Sequence, residues 1–254
     1  MGGKGIVLLE TLCSGIKEGL RSVWFENEPQ CCVCGGNPGP ICLNCENVYF
    51  HPELERCHSC GKLISPELDY CQDCLRNKGP ESLTRVWAWG HYSGDWKKFI
   101  WEVKFKAQPR RMGEIGRPLS QWVFRHFPPV DGIVPVPMHP VRLAERGFNQ
   151  AEVIASLLKW ELGLPLLKGL ERRLLTVPQI QLRRRDRLQN LEGVFAVKEP
   201  RRFLGLSVWL VDDVITTGST LEACARALLE NGARHVYGLC LAAGAEKGLV
   251  PYRE

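Results

Sequence analysis

The residues most ready for chemistry are twelve cysteines, eight of which fall into four Cys-x-x-Cys pairs. The pairs are Cys31 and Cys34, Cys42 and Cys45, Cys57 and Cys60, and Cys71 and Cys74. Two thiolates three residues apart on a tight turn can point at one ion, and two such turns supply the four soft ligands that tetrahedral Zn2+ prefers. Seven residues separate the first two pairs and ten the last two. Gly35 and Gly61 directly follow two of the knuckles, where a turn often needs positive φ. Four thiolates per ion leave no open coordination position, so two structural Zn2+ sites are expected rather than a catalytic one. Sequential ligation groups 31, 34, 42 and 45, then 57, 60, 71 and 74; interleaved ligation, pairs one with three and two with four, stays open. Cys32 beside Cys31 leaves the register of the first knuckle ambiguous. Cys13, Cys224 and Cys240 read as small buried hydrophobes. A disulfide framework would call for a secreted chain.

A second constellation lies near the C-terminus: Asp212-Asp213-Val214-Ile215-Thr216-Thr217-Gly218-Ser219-Thr220. An apolar run, Val208 to Val211, delivers two carboxylates, and a turn of hydroxyls and glycine follows. A helix begins next, and free amide N–H groups at a helix N-terminus favour an anion. The hydroxyls of Thr216, Thr217, Ser219 and Thr220 can add hydrogen bonds to phosphate oxygens. Adjacent carboxylates would repel that phosphate, so they should face sugar hydroxyls or Mg2+ instead. A plain helix N-cap by Ser219 or Thr220 explains one residue of this run, not the whole of it. Neither a Walker A loop nor a G-x-G-x-x-G fingerprint is present.

Positioning these groups requires elements, and the chain after Pro80 supplies them. Arg85 to Tyr92 alternates as a strand does, and Ile133 to Val136 is a short β-branched run. Trp96, Phe99, Ile100 and Val103 fall at helical spacing, as do Met112, Ile115, Leu119 and Trp122, and Ala151, Ile154, Ala155 and Leu158. The strand at 208–211 is expected to end at Asp212, and the helix through Leu221, Cys224, Ala225 and Leu228 to stop at Asn231-Gly232. Val236 to Leu241 reads as a further buried strand. Alternating strands and helices predict an α/β fold with an open, mostly parallel sheet, whose ligands bind at the carboxyl ends of the strands. The expected organisation is an N-terminal helical extension (1–28), a double zinc-binding, zinc-ribbon-like module (29–80) and the α/β domain (81–254). Most of the eight tryptophans fall at core spacing, which favours packing over base stacking.

Composition bounds the function class. With 254 residues, 44% apolar and 24% charged, the chain is not disordered. Val236 to Ala245 is too short to cross a bilayer, which takes about 20 apolar residues. The first twenty residues lack a signal-peptide layout, so a cytoplasmic protein without membrane insertion is the expectation. Leu170 to Arg202 holds nine Arg or Lys against four Asp or Glu, which equals the whole formal net charge of +5. Two zinc-loaded four-thiolate sites at −2 each would bring that total to about +1, so the basic character is local.

VWLVDDVITTGST resembles the phosphoribosyl-pyrophosphate (PRPP) motif of type I phosphoribosyltransferases. VPVPMHPVRLAERGFNQAEVIA (134–155), TVPQIQLRRRDRLQNLEGVF (176–195), IWEVKFKAQ (100–108) and the paired-cysteine head are similar to the ComF family, over almost the whole chain from about residue 30. The resemblance implies the type I phosphoribosyltransferase fold. It also implies Asp212 and Asp213 as catalytic, ribose-binding acids, a phosphate loop of Thr216, Thr217, Gly218, Ser219 and Thr220, and Mg2+ arriving with PRPP. Arg142 and Arg146, after the strand at 133–136, would meet the pyrophosphate; Arg suits such bidentate contacts. His139 beside them could be a ligand, a base or a capping turn residue. The segment 176–190 matches the mobile lid of the transferases by position. Its Arg183, Arg184, Arg185 and Arg187 could close over PRPP, line a nucleic-acid groove or simply be solvated. ComF-type proteins are implicated in DNA uptake during natural transformation, and some relatives are linked to gluconate use. The implied partners are single-stranded DNA, a competence helicase and single-strand-binding factors. A working phosphoribosyltransferase with an unknown nitrogen acceptor is the alternative.

Overall fold

The computed structural model describes residues 30–36, 39–50, 55–76, 78–106, 109–174, 191 and 193–246. The expected extension at 1–28, Cys13 and the arginines at 183, 184, 185 and 187 lie outside the described residues.

Four parallel strands form the central sheet. They are β3 (Arg85–His91), β4 (Gly132–Pro135), β7 (Ser207–Ile215) and β8 (His235–Ala243), in the spatial order β3-β8-β7-β4. Two small antiparallel ribbons accompany them: β1 (Glu55–Arg56) with β2 (Leu63–Ile64), and β5 (Leu170–Arg172) with β6 (Phe195–Val197). The main helices are α1 (Gly94–Phe105), α2 (Gly116–His126), α3 (Pro140–Arg146), α4 (Gln150–Leu162) and α5 (Ser219–Glu230). Side chains alternate across a strand, so a central parallel strand must be apolar on both faces. In β7, Trp209 and Val211 pack with Phe99 and Ile100 of α1, Leu119 of α2 and Ile154 and Leu158 of α4. Val208 and Leu210 pack on the opposite face with Leu221, Ala225 and Leu228 of α5 and with Phe195 and Phe203.

An edge strand of a sheet needs cover for its free backbone groups. For β3 the cysteine-rich segment provides it. The buried guanidinium of Arg56 donates to the carbonyls of Ala88 (2.9 Å), Phe50 (2.6 Å) and Trp89 (3.1 Å). The Val86 N–H donates to the His58 carbonyl at 2.8 Å. Leu63 exchanges backbone hydrogen bonds with Gly244 (3.1 Å) and Glu246 (2.9 Å), just beyond β8.

Two elements differ from the sequence pattern. Met112 and Ile115 lie in a 3-10 stretch, Pro109–Ile115, and α2 opens only at Gly116. Pro109 opens that stretch, and Gly113 and Gly116 weaken a regular helix there. Strand β7 does not end at Asp212 but runs to Ile215, because β8 pairs with it on both sides of Asp213, Asp212 opposite Cys240 and Ile215 opposite Ala243. Among the described residues no helix is long and apolar enough to cross a membrane.

Candidate functional site

The cysteines gather in sequence order. Cys31, Cys34, Cys42 and Cys45 form one group and Cys57, Cys60, Cys71 and Cys74 another, with the sulfurs of each group all within 4.8 Å of one another. Sequential ligation is therefore the arrangement the fold provides. Each group is built alike. A knuckle turn carries the first pair, closed by Gly35 N–H to Cys31 O and Gly61 N–H to Cys57 O, both 2.8 Å. Gly35 and Gly61 adopt φ of +78° and +69°, a region other residues rarely enter. Cys42 and Cys71, from the second pairs, stand at the N-terminal caps of short helical turns. A tetrahedral ion with Zn–S bonds of about 2.3 Å separates its sulfurs by about 3.8 Å. The Cys34–Cys42 and Cys60–Cys71 sulfurs are 3.7 Å and 3.6 Å apart, so both groups fit such an ion and could hold zinc.

The thiols are not equivalent. Burial alone would raise Cys31, but backbone N–H groups of Cys34, Cys42 and Val33 bring it down to about 7. Hydrogen bonds from Cys60, Cys71 and Cys74 hold Cys57 far below the usual thiol range. Cys32 stands outside the group, and burial, with the Cys31 charge, pushes it up to about 12. That resolves the first knuckle in favour of Cys31. Cys224 and Cys240 are fully buried core residues whose thiols burial raises well above the ordinary value.

The acidic pair lies at the carboxyl end of β7, and the strand is irregular there. Trp209 and Val211 face the α1 side, yet so does Val214, three residues on; Ile215 faces the α5 side with Val208 and Leu210. The alternation slips by one residue across the pair. Its neighbour β8 slips at the same level, with Leu241 and Ala242 both on the α1 side, so the pairing register survives. An irregular strand must find partners for displaced N–H groups. The acids supply them: Asp212 Oδ1 accepts from Asp213 N–H and Asp213 Oδ1 from Val214 N–H, both 2.8 Å. The same side chains that could meet a ligand thus hold the backbone that presents them.

Cations surround the pair. Lys104, one residue before the end of α1, donates to Asp213 Oδ2 at 2.8 Å. Burial works against its ammonium, but Asp213, and Asp212 beyond it, overcome that and raise its pKa. Burial lowers the Arg146 pKa, opposed by the Asp213 charge and helped by Arg142. Arg172 of β5 is likewise lowered by burial and by Arg142, and it feels Asp212. Burial and the adjacent Asp213 charge push Asp212 up to about 7. Three cations, Lys104, Arg146 and Arg172, face two carboxyls, one of them titrating near neutrality, with Arg142 and Glu145 of opposite sign beyond Arg146, and that environment favours an added anion.

The loop after β7 completes the site. Gly218 is the N-cap of α5 with φ +77°, and a Cβ there would run into Pro80. As a glycine, the N-cap offers no side-chain cap, and Ser219 Oγ shares a 2.9 Å hydrogen bond with Thr217 Oγ1. The turn before α5 carries Thr216, which is exposed, and Thr217, which is half-buried, with half-buried Thr220 in the first turn of the helix. Glu222, one turn along, accepts from Glu81 N–H (2.9 Å), Ser82 N–H (2.8 Å) and Ser82 Oγ (2.6 Å), tying the segment after the second cysteine group to this helix.

Of the predicted residues, Asp212, Asp213, the 216–220 loop and Arg146 come together, with Arg142 in electrostatic reach of Arg146 and Arg172. His139 is the capping residue, its Nδ1 accepting from Val141 N–H at the start of α3. Lys104 and Arg172 are additions. Lys104 had a signal: Trp96, Ile100 and Lys104 recur every four residues, which puts a lysine on the buried face of an amphipathic helix. Arg172 had none beyond its place in the basic segment.

No family model matches the chain. Competence protein F of Haemophilus influenzae is 29% identical over 230 residues, covering 84% of this chain and 97% of that one. DNA utilization protein YhgH of Salmonella typhi is 30% identical over 207 residues, covering 79% and 89%. Competence protein ComFC of Bacillus subtilis is 28% identical over 197 residues, covering 76% and 79%. Among solved structures, Leishmania donovani UMP synthase aligns at 20% identity and TM-score 0.32, over 54% of this chain and 23% of that one. An allosteric regulatory enzyme of purine biosynthesis aligns at 20% identity and TM-score 0.34, over 51% and 25%. The architecture of this chain stands on its own strand order rather than on those partial overlays. At this level of identity and coverage to YhgH, the chain belongs to the ComF family, with competence protein F and its relatives.

Proposed function

We propose that this chain is a PRPP-binding ComF-type protein of DNA uptake, acting in the cytoplasm on incoming single-stranded DNA. The names of its relatives, competence protein F and DNA utilization protein, support the role in DNA uptake. The observation that carries the PRPP reading is the acidic pair of β7 set between Lys104, Arg146 and Arg172, directly before a hydroxyl-lined helix N-terminus with glycine as its N-cap. The loop would take the 5′-phosphate, the carboxylates the ribose hydroxyls, and the arginines the pyrophosphate, with Mg2+ brought by the ligand. The two cysteine groups would hold structural zinc. A competence helicase and single-strand-binding factors would be its partners.

The test pairs two measurements. A single-stranded oligonucleotide should bind the full chain with an affinity that falls steeply with salt. Deleting the gene should lower transformation frequency. Absent or salt-insensitive binding together with intact transformation overturns the reading.

Asp212 favours a second reading, transfer of phosphoribosyl from PRPP to a nitrogen acceptor. A carboxyl titrating at about 7 is suited to take a proton from an attacking nitrogen. Release of pyrophosphate in the presence of a panel of nucleobases and amines would support it; none from any acceptor would leave binding without turnover.

A further inference from the structure

Helix α1 buries Trp96, Phe99, Ile100 and Val103, yet it leaves two aromatic rings in solvent. Trp101 is 48% exposed and Phe105 is 58% exposed, with ring centroids 5.4 Å apart. The Arg146 guanidinium lies over the Phe105 ring, 5.3 Å from its centroid. Lys97 and Lys98, both exposed, stand one turn before Trp101 on the same helix. Arg142 is within electrostatic reach of Arg146 at the other end. By helical spacing the two lysines precede the rings and Arg146 follows them toward the acidic pair, Lys97 Nζ lying over the Tyr92 ring, 5.6 Å from its centroid. The carboxylate of this helix nearest the rings, Glu102, is already paired with Arg111 (2.7 Å) and Lys106 (2.9 Å).

A bare apolar patch would suit a protein partner. Rings alternating with cations suit a polyanion that carries flat faces, because bases stack on aromatics while phosphates meet Lys and Arg. The two rings, tilted 37° to each other, offer stacking faces to more than one base of a flexible single strand.

We infer that Trp101 and Phe105 form a two-base stacking platform for single-stranded DNA, flanked by Lys97 and Lys98 on one side and by Arg142 and Arg146 on the other. This rests on the reading of the chain as a handler of single-stranded DNA, and it names the surface. Because Arg146 belongs to both the platform and the PRPP site, the strand would pass the mouth of that site.

The experiment is fluorescence anisotropy of a labelled oligothymidylate titrated with the full chain over a range of salt, alongside calorimetry with Mg·PRPP. Losing one stacked base weakens binding by roughly five- to 150-fold. Trp101→Ala with Phe105→Ala should therefore weaken oligonucleotide binding at least about tenfold with the salt slope unchanged, and PRPP affinity should be unchanged in Trp101→Ala alone, which leaves the Phe105 ring under Arg146. Trp101→Phe with Phe105→Tyr should restore it. Equal binding by wild type and the alanine double variant overturns the platform while the DNA reading stands. Absence of oligonucleotide binding by the wild type removes the DNA reading, and the platform with it. A wild-type dimer that the double variant dissociates, with DNA affinity unchanged, assigns the face to a second copy and also overturns the platform.

Discussion

Replacing Asp212 with Asn should make the protein more stable, and the gain should grow with pH. Burial and the Asp213 charge raise the Asp212 pKa from an ordinary 3.8 to about 7. Near pH 3 and below, the carboxyl is mostly neutral whether the chain is folded or not, so it costs almost nothing. As pH rises, the unfolded chain releases the proton while the folded chain keeps it, and stability falls by about 1.4 kcal/mol per pH unit. The loss levels off once pH passes 7, at a total of a few kcal/mol. Asn removes this titration and can still accept the Asp213 N–H that Asp212 Oδ1 accepts at 2.8 Å. The expected gain is close to nil at pH 3, begins to show by pH 5 and reaches a few kcal/mol by pH 8. Urea denaturation of wild type and variant at pH 5 and pH 8 reads the difference directly. A variant less stable than wild type at pH 8, or a difference that does not change with pH, would refute the reasoning. A residue that weakens its own fold near neutral pH is one retained for something other than folding.

Three further outcomes follow from the same geometry. Lys104→Met leaves Asp213 without its 2.8 Å partner and should cost about 2 kcal/mol by denaturation, less than a fully buried pair because the lysine side chain is 28% exposed. Gly218→Ala forces a side chain into φ +77° and against Pro80, so it should cost at least about 1–2 kcal/mol, part of which Pro80→Ala should restore in a double-mutant cycle. Two zinc ions per chain are expected by elemental analysis, falling to one in Cys57→Ser. Chelation should also lower the melting temperature of the whole chain, since Cys31, Cys42 and Cys45 share a core with Trp89 and Trp96.

The sheet was legible because apolar runs such as Val208–Val211 and Val236–Leu241 carry their burial in their composition, and the phosphate loop because glycine and hydroxyls cluster where a helix starts. What stayed hidden depends on contacts distant in sequence. Spacing alone does not choose between sequential and interleaved ligation; the fold does, binding the second cysteine segment to β3 and the end of β8 while Cys31, Cys42 and Cys45 pack with Trp89 and Trp96. Polarity suggested that β7 stops at Asp212, whereas pairing with β8 carries the backbone on and the acids' own oxygens satisfy the N–H groups the slip displaces. The preference for packing over stacking holds for Trp87, Trp89, Trp96 and Trp209, but not for Trp101 and Trp160, which are exposed.

The central claim is that the acids of β7 and the loop after them form a PRPP site. Calorimetric titration of Mg·PRPP into wild type and into Asp212→Asn with Asp213→Asn, each shown folded by denaturation, tests it most directly. The wild type should bind and the double variant should not. Equal affinity in the two proteins would contradict the account.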